Sequence, residues 1–262
     1  GRANANCLLG RLIHFCRKTG DVRFLSAEGG SADNAIPSSS RAQLFTENAQ
    51  AAVLEEAVRK LEEILRREYI VTDPGIGIQI LEKEEGEWDV FTEESTKRAE
   101  ILLFLMPNGI QSMSADIRGL VQTSLNLGIL KTKDGELELD YSVRSSVMSE
   151  KEMLIDKVCL LLKSQGGSWD ISGDYPAWEF RQDSPLRDKM VKVYEEMYGK
   201  APRIEAIHAG LECGILAGKL PGLDCVSIGP DMKDIHTPEE RLCISSTKRV
   251  WDYVLEILKK KG

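Results

Sequence analysis

Histidine is scarce in this chain: there are three in 262 residues, His14, His208 and His236. None is spaced from another as metal ligands are, and there is no H-x-x-x-H, so these imidazoles alone do not make a metal cage. The six cysteines, Cys7, Cys16, Cys159, Cys213, Cys225 and Cys243, are scattered and include no C-x-x-C pair. Several sit among apolar neighbours, which reads as reduced core thiols of an intracellular protein. No apolar run approaches the roughly 20 residues that a membrane span needs, and no signal-peptide pattern stands at the start. Basic residues are in deficit, with 34 Lys+Arg against 42 Asp+Glu for a net charge of −8. The imbalance lies in residues 1–183, which carry −9, whereas residues 184–262 carry +1. A surface that acidic does not track a phosphate backbone, which excludes nucleic acid as a partner.

What is present is a soluble globular pattern, 42% hydrophobic and 29% charged, long enough for one large domain or two ordinary ones. Leu8, Leu9, Leu12, Ile13 and Phe15 or Cys16 recur at helical spacing over residues 4–18, ended by Thr19-Gly20. The chain thus opens inside a helical pattern with no cap, and a further segment upstream is expected. Strands follow at 22–26 and 42–46, with Gly29-Gly30-Ser31 and the loop Asn34-Ala35-Ile36-Pro37 between them. Residues 51–69 form an amphipathic helix with Val53, Leu54, Ala57, Val58, Leu61, Ile64 and Leu65 on one face. A strand is predicted at 76–82, then a helix to Met106, capped by Thr92 with Ser95 as the alternative and stopped at Pro107-Asn108-Gly109. Thr132-Lys133-Asp134-Gly135 makes a hairpin of 121–129 and 136–145. Ser149 is predicted to cap a helix through Lys163, stopped by Gly166-Gly167, and a strand begins at Ser168. Ser184-Pro185 suits the cap and first position of a helix to Tyr198.

The last part, from Ile204, alternates short apolar runs with glycine turns. Residues 204–208 and 223–228 read as buried strands flanking a short helix, the pattern of a doubly wound layer. We place a domain boundary near Asp183, giving an α+β domain at 1–183 and an α/β segment at 184–262. Small domains bury only about 60% of their unfolded surface, so the second segment is expected to complete a sheet supplied from elsewhere.

The motifs GRANAN, GGSADNAIP, MPNGI, VQTSLNLG, SVRS, DYPAWEFRQDSPL, HAGLECG, VSIGP, IHTPEE and WDYVLEILK span nearly the whole chain. Together they resemble the carboxyl-terminal portion of the aminoacyl-histidine dipeptidases, members of the di-zinc peptidase superfamily that includes carnosinase. HAGLECG with IHTPEE at this spacing is the specific part. The resemblance implies that 1–183 is a lid, or dimerisation, domain inserted between halves of a doubly wound zinc-peptidase catalytic domain, and that 184–262 ends that domain. It implies a cytoplasmic homodimer that hydrolyses Xaa-His-type dipeptides by attack of a hydroxide activated by two zinc ions.

Five residues follow from the matched motifs. His236, in a loop beyond Gly229-Pro230, would be a metal ligand; unaided, the reading is a surface histidine beside a turn. Gly210 would bring backbone close to the substrate, and Glu212, near a helix start, would meet its free amino group or simply favour the helix dipole. Arg144 would grip the dipeptide's carboxylate through its guanidinium fork, although strand arginines are more often solvated or ion-paired. Asn34 would donate from the lid to the scissile carbonyl; its plain reading is a turn asparagine. Asn108 and Asn126 read as turn and strand residues, and Trp169, Trp178 and Trp251 as packing. One imidazole cannot hold a zinc pair, and the resemblance implies that the other metal ligands and the general-base Glu lie on a segment amino-terminal to these 262 residues. The alternatives are a non-catalytic fragment that folds as a lid and self-associates, or an acylamino-acid deacylase of the same superfamily.

Overall fold

The computed structural model describes residues 2–81, 85–206, 212–235 and 237–260. It is a mixed α/β structure that divides into two compact units. The first comprises Gly1–Ser112, Thr123–Arg144 and Glu150–Ile171; the second comprises Met113–Gln122, Ser145–Ser149 and Ser172–Gly262.

The first unit starts with α1 (Ala5–Thr19), which is capped after all. Asn4 is extended and its side-chain carbonyl accepts from the Cys7 N–H, satisfying one of the donors that a helix start leaves free. Then follow β1 (Arg23–Gly29), β2 (Ser40–Phe45), α2 (Asn48–Glu68), α3 (Glu93–Leu105), β3 (Gly109–Met113), β4 (Val121–Lys133), β5 (Glu136–Ser145) and α4 (Met148–Ser164). The sheet runs β2-β1-β4-β3, with β5 also paired to β4, and β1 lies antiparallel to both β2 and β4. The β4–β5 hairpin turns through Asp134 and Gly135, both at positive φ, as a two-residue turn matched to strand twist requires. Leu9, Ile13, Phe24, Ala27, Leu103 and Leu130 make the core, joining α1, α3 and the sheet. Arg17 on α1 ties α3 down by donating to Glu93 at 2.7 Å and Glu100 at 2.6 Å, while His14 stacks on Phe104 at 4.0 Å.

In the second unit, α5 (Pro185–Tyr198) begins as predicted, with the Ser184 hydroxyl accepting from the Arg187 N–H and Gly199 ending the helix in the left-handed region. Then come α6 (Glu212–Lys219), the short antiparallel pair β6 (Met232–Lys233) and β7 (Arg241–Leu242), and α7 (Ile244–Lys259). α5 packs on α7 through Met190, Val193, Tyr253 and Ile257, and the Tyr253 hydroxyl donates to the Met190 carbonyl at 2.7 Å.

Several sequence expectations change. Residues 76–81 and 168–171 are irregular, because an apolar run becomes a strand only where a neighbour completes its hydrogen bonds. For the same reason 204–206 and 223–228 form no strand; residues 207 and 208 lie outside the described residues. α4 starts at Met148, so Ser149 lies inside the helix rather than at its cap. β3 was not expected. Trp169 (48% exposed) and Trp251 (64%) lie outside the core, and Cys243 is exposed rather than a core thiol. Among the described residues no helix is long and apolar enough to cross a membrane.

Candidate functional site

The chemistry-bearing asparagine of the first unit, Asn34, lies in the loop between β1 and β2. Gly30, at φ +77°, turns the chain out of β1 so closely over β4 that a Cβ there would stand 1.8 Å from the Gly128 carbonyl oxygen. Only glycine fits that turn. On the return, Pro37 is buried and its carbonyl accepts from the Ala5 N–H at 3.1 Å, while the Arg2 guanidinium donates to the Ile36 carbonyl. Asn34 stands at the exposed tip, and among the described residues no protein group engages its side-chain amide.

The loop is anchored by asparagines. The Asn126 amide on β4 donates to the Asp33 carbonyl at 3.0 Å and the Ala35 carbonyl at 2.8 Å, which belong to the residues before and after Asn34. The Asn126 oxygen accepts from the Asn4 amide at 3.0 Å, and that same amide donates to the Leu127 carbonyl at 3.1 Å. Asn108, just before β3, accepts from the Leu127 N–H at 2.9 Å. Asn6, fully buried, donates to the carbonyls of Gly29 and Leu127 at 3.3 Å each. Four motifs distant in sequence, GRANAN, MPNGI, VQTSLNLG and NAIP, thus meet at one place.

The other predicted residues are spread out. Arg144 is half-buried near the end of β5, and among the described residues no carboxylate pairs with it. Nearby, the Ser146 N–H donates to the Gln122 carbonyl at 3.0 Å, so chain from β4 still runs beside the end of β5. Glu212 opens α6 and is exposed. Next to it, burial pushes the Cys213 thiol up, helped by Cys225 and Glu212. Gly210, His208 and His236 lie outside the described residues. Among the described residues no group of three His, Cys, Asp or Glu side chains could hold a metal ion. Zinc takes three or four such ligands, so the described residues do not fit a metal centre.

Sequence reasoning missed Asn4, Asn6, Asn108 and Asn126 as site residues. A signal was available at Asn126. Asparagine is depleted in strands, yet this one interrupts the buried pair Leu125 and Leu127, which points to side-chain bonding.

No protein-family model matches the chain. Over 260 residues, 99% of its length, it is 31% identical to the cytosol non-specific dipeptidase of Escherichia coli (strain K12), of which it covers 53%. The crystal structure of aminoacylhistidine dipeptidase from Vibrio alginolyticus superposes on the whole chain with a TM-score of 0.89 at 30% identity, covering 54% of that protein. The chain spans about half the length of the relatives it matches and is a partial homologue of these dipeptidases.

Proposed function

We propose that this chain is the lid and carboxyl-terminal portion of a cytoplasmic dipeptidase that acts on short peptides with a free carboxylate, Xaa-His among them. The observation that carries the reading is the superposition of the whole chain on 54% of aminoacylhistidine dipeptidase at 30% identity. Arg144 holds the C-terminal carboxylate; its fork is free of any competing acid among the described residues. Asn34 donates its amide to the carbonyl of the bond to be cut, where charge develops. In the second unit, Gly210 and Glu212 contact the substrate's backbone and amino end. His236 is this chain's ligand to zinc. One imidazole fills a single position of a zinc centre, so His236 supplies one ligand of the set and other residues supply the rest.

The test is hydrolysis of a panel of dipeptides, with and without zinc, by the natural gene product that contains this sequence. Cleavage of free dipeptides with loss of activity on amidating their C-terminus is expected. Cleavage of N-acylated amino acids in preference to dipeptides would overturn the reading in favour of a deacylase.

A second reading, self-association without catalysis, is favoured by α7. Ile244, Trp251 and Leu258 recur at seven-residue spacing and are 85%, 64% and 73% exposed, a stripe that water alone covers unfavourably. Sedimentation of the 262-residue chain would show concentration-dependent dimers, and a monomer at high concentration would remove it.

A further inference from the structure

We propose that Asn126 is a positioning residue, one that sets the place of Asn34 by clamping the carbonyls of the residues before and after it; the catalytic part of this rests on the reading of Asn34 above. A primary amide has two N–H donors. At Asn126 one goes to the Asp33 carbonyl at 3.0 Å and the other to the Ala35 carbonyl at 2.8 Å. Residues before and after Asn34 are therefore held by one rigid planar group. That group is itself oriented by Asn4, whose amide donates to the Asn126 oxygen at 3.0 Å. Beneath it, the Asp33 backbone rests on Gly128: a Cβ at 128 would lie 2.3 Å from the Asp33 oxygen and 2.4 Å from its Cα. A β-strand centre that spends its polar capacity on the tip of an exposed loop has its use at that tip. The side chain presented there, with no protein partner among the described residues, is Asn34.

Geometry of this kind matters to a reaction because a misplacement of about 1 Å in a group that meets the substrate costs on the order of 10²-fold in rate. N126D is the informative variant. It keeps the shape and the acceptor for Asn4 but sets a carboxylate against two carbonyls. N34A removes the presented amide and leaves the clamp intact. G128A pushes the same turn from below while leaving Asn126 chemically unchanged, and it serves if N126D does not fold.

Two measurements decide it. In the 262-residue chain, NMR exchange of the Ala35 amide proton, which donates to the Ala32 carbonyl at 3.3 Å, is expected to speed up at least about 10-fold in N126D or G128A and to stay unchanged in N34A. Unchanged exchange in both clamp variants overturns the proposal. In the dipeptide-hydrolysing gene product, N34A and N126D are each expected to lower kcat by about 10²-fold with KM nearly constant. The double variant should be no slower than N34A alone. Losses that multiply, or that fall on KM, overturn the positioning role. If N34A leaves kcat unaltered, the catalytic reading of Asn34 fails, and the exchange result alone decides whether Asn126 holds the turn.

Discussion

Asn4 and Asn126, 122 residues apart, share a hydrogen bond of 3.0 Å from the Asn4 amide to the Asn126 oxygen. The same Asn4 side chain caps α1 through its carbonyl, which accepts from the Cys7 N–H at 3.2 Å. One residue thus starts a helix with one atom and ties that helix to the sheet with the other.

Substitution at Asn4 separates these roles. N4S keeps a capping oxygen and loses the amide, leaving Asn126 and the Leu127 carbonyl short of a donor; it is expected to cost about 1–2 kcal/mol. N4A loses the cap as well, which adds about 1 kcal/mol. Urea denaturation of both variants checks this, and equal losses would show that the cap contributes nothing.

At Arg144 the effect should fall on binding. R144A is expected to raise KM for free dipeptides by about 10²-fold with little change in kcat, since the carboxylate is held equally in ground and transition states. R144K should recover only part, because an ammonium does not offer the bidentate fork. Steady-state kinetics on free and amidated dipeptides measure it, and an unchanged KM removes the role.

Acid should weaken the start of α5. Asp224 accepts from the Ser184 hydroxyl at 2.7 Å and the Leu186 N–H at 2.9 Å. Burial raises its pKa, but those bonds, with Arg181 and Arg187 nearby, outweigh burial and leave it lowered. A carboxylate lowered on folding contributes stability above its unfolded value, about 3.9 for aspartate, and loses it as pH falls through the folded value. The stability difference between the unaltered chain and D224N is therefore expected to be constant from pH 8 to about pH 5 and to shrink below that range. Denaturation midpoints at successive pH values follow it, and a difference that grows on acidification would reverse the sign.

Cys243 should stand apart from the other thiols. It is exposed at the cap of α7, and hydrogen bonds from the Ser245 hydroxyl and from Ser246 bring it down to about 7. Burial pushes Cys7 up to about 12 and Cys16 up to about 11. The thiolate is the reactive form. Iodoacetamide labelling followed by peptide mass mapping is expected to modify Cys243 with a midpoint near pH 7, and Cys7 and Cys16 only on unfolding. Cys243→Ser should abolish the early label.

How much was legible differed by element. Helices with local signals were read closely: Thr92 caps α3, Ser184 caps α5, and Asp134-Gly135 turns the β4–β5 hairpin. Each of these rests on contacts within a few residues, so the sequence carries them whole. The apolar runs at 76–81 and 223–228 looked like strands and are not, because a strand depends on a partner and its own residues do not specify one. Asn34, Arg144 and Glu212 entered through motif resemblance, and the asparagines that hold the Asn34 loop did not. Asn4 resembled part of an uncapped helix, and Asn126 an ordinary strand residue.

The sequence by itself determined the local grammar at the starts of α3 and α5, at the β4–β5 turn, and in the short motifs that carry the dipeptidase resemblance. All of these are encoded by neighbours in the chain. Only the tertiary structure decided that residues 4, 34, 108 and 126 would meet, because hydrogen bonds such as Asn4 to Asn126 and Asn126 to the Asn34 loop exist only once α1 and β4 have packed on a common core.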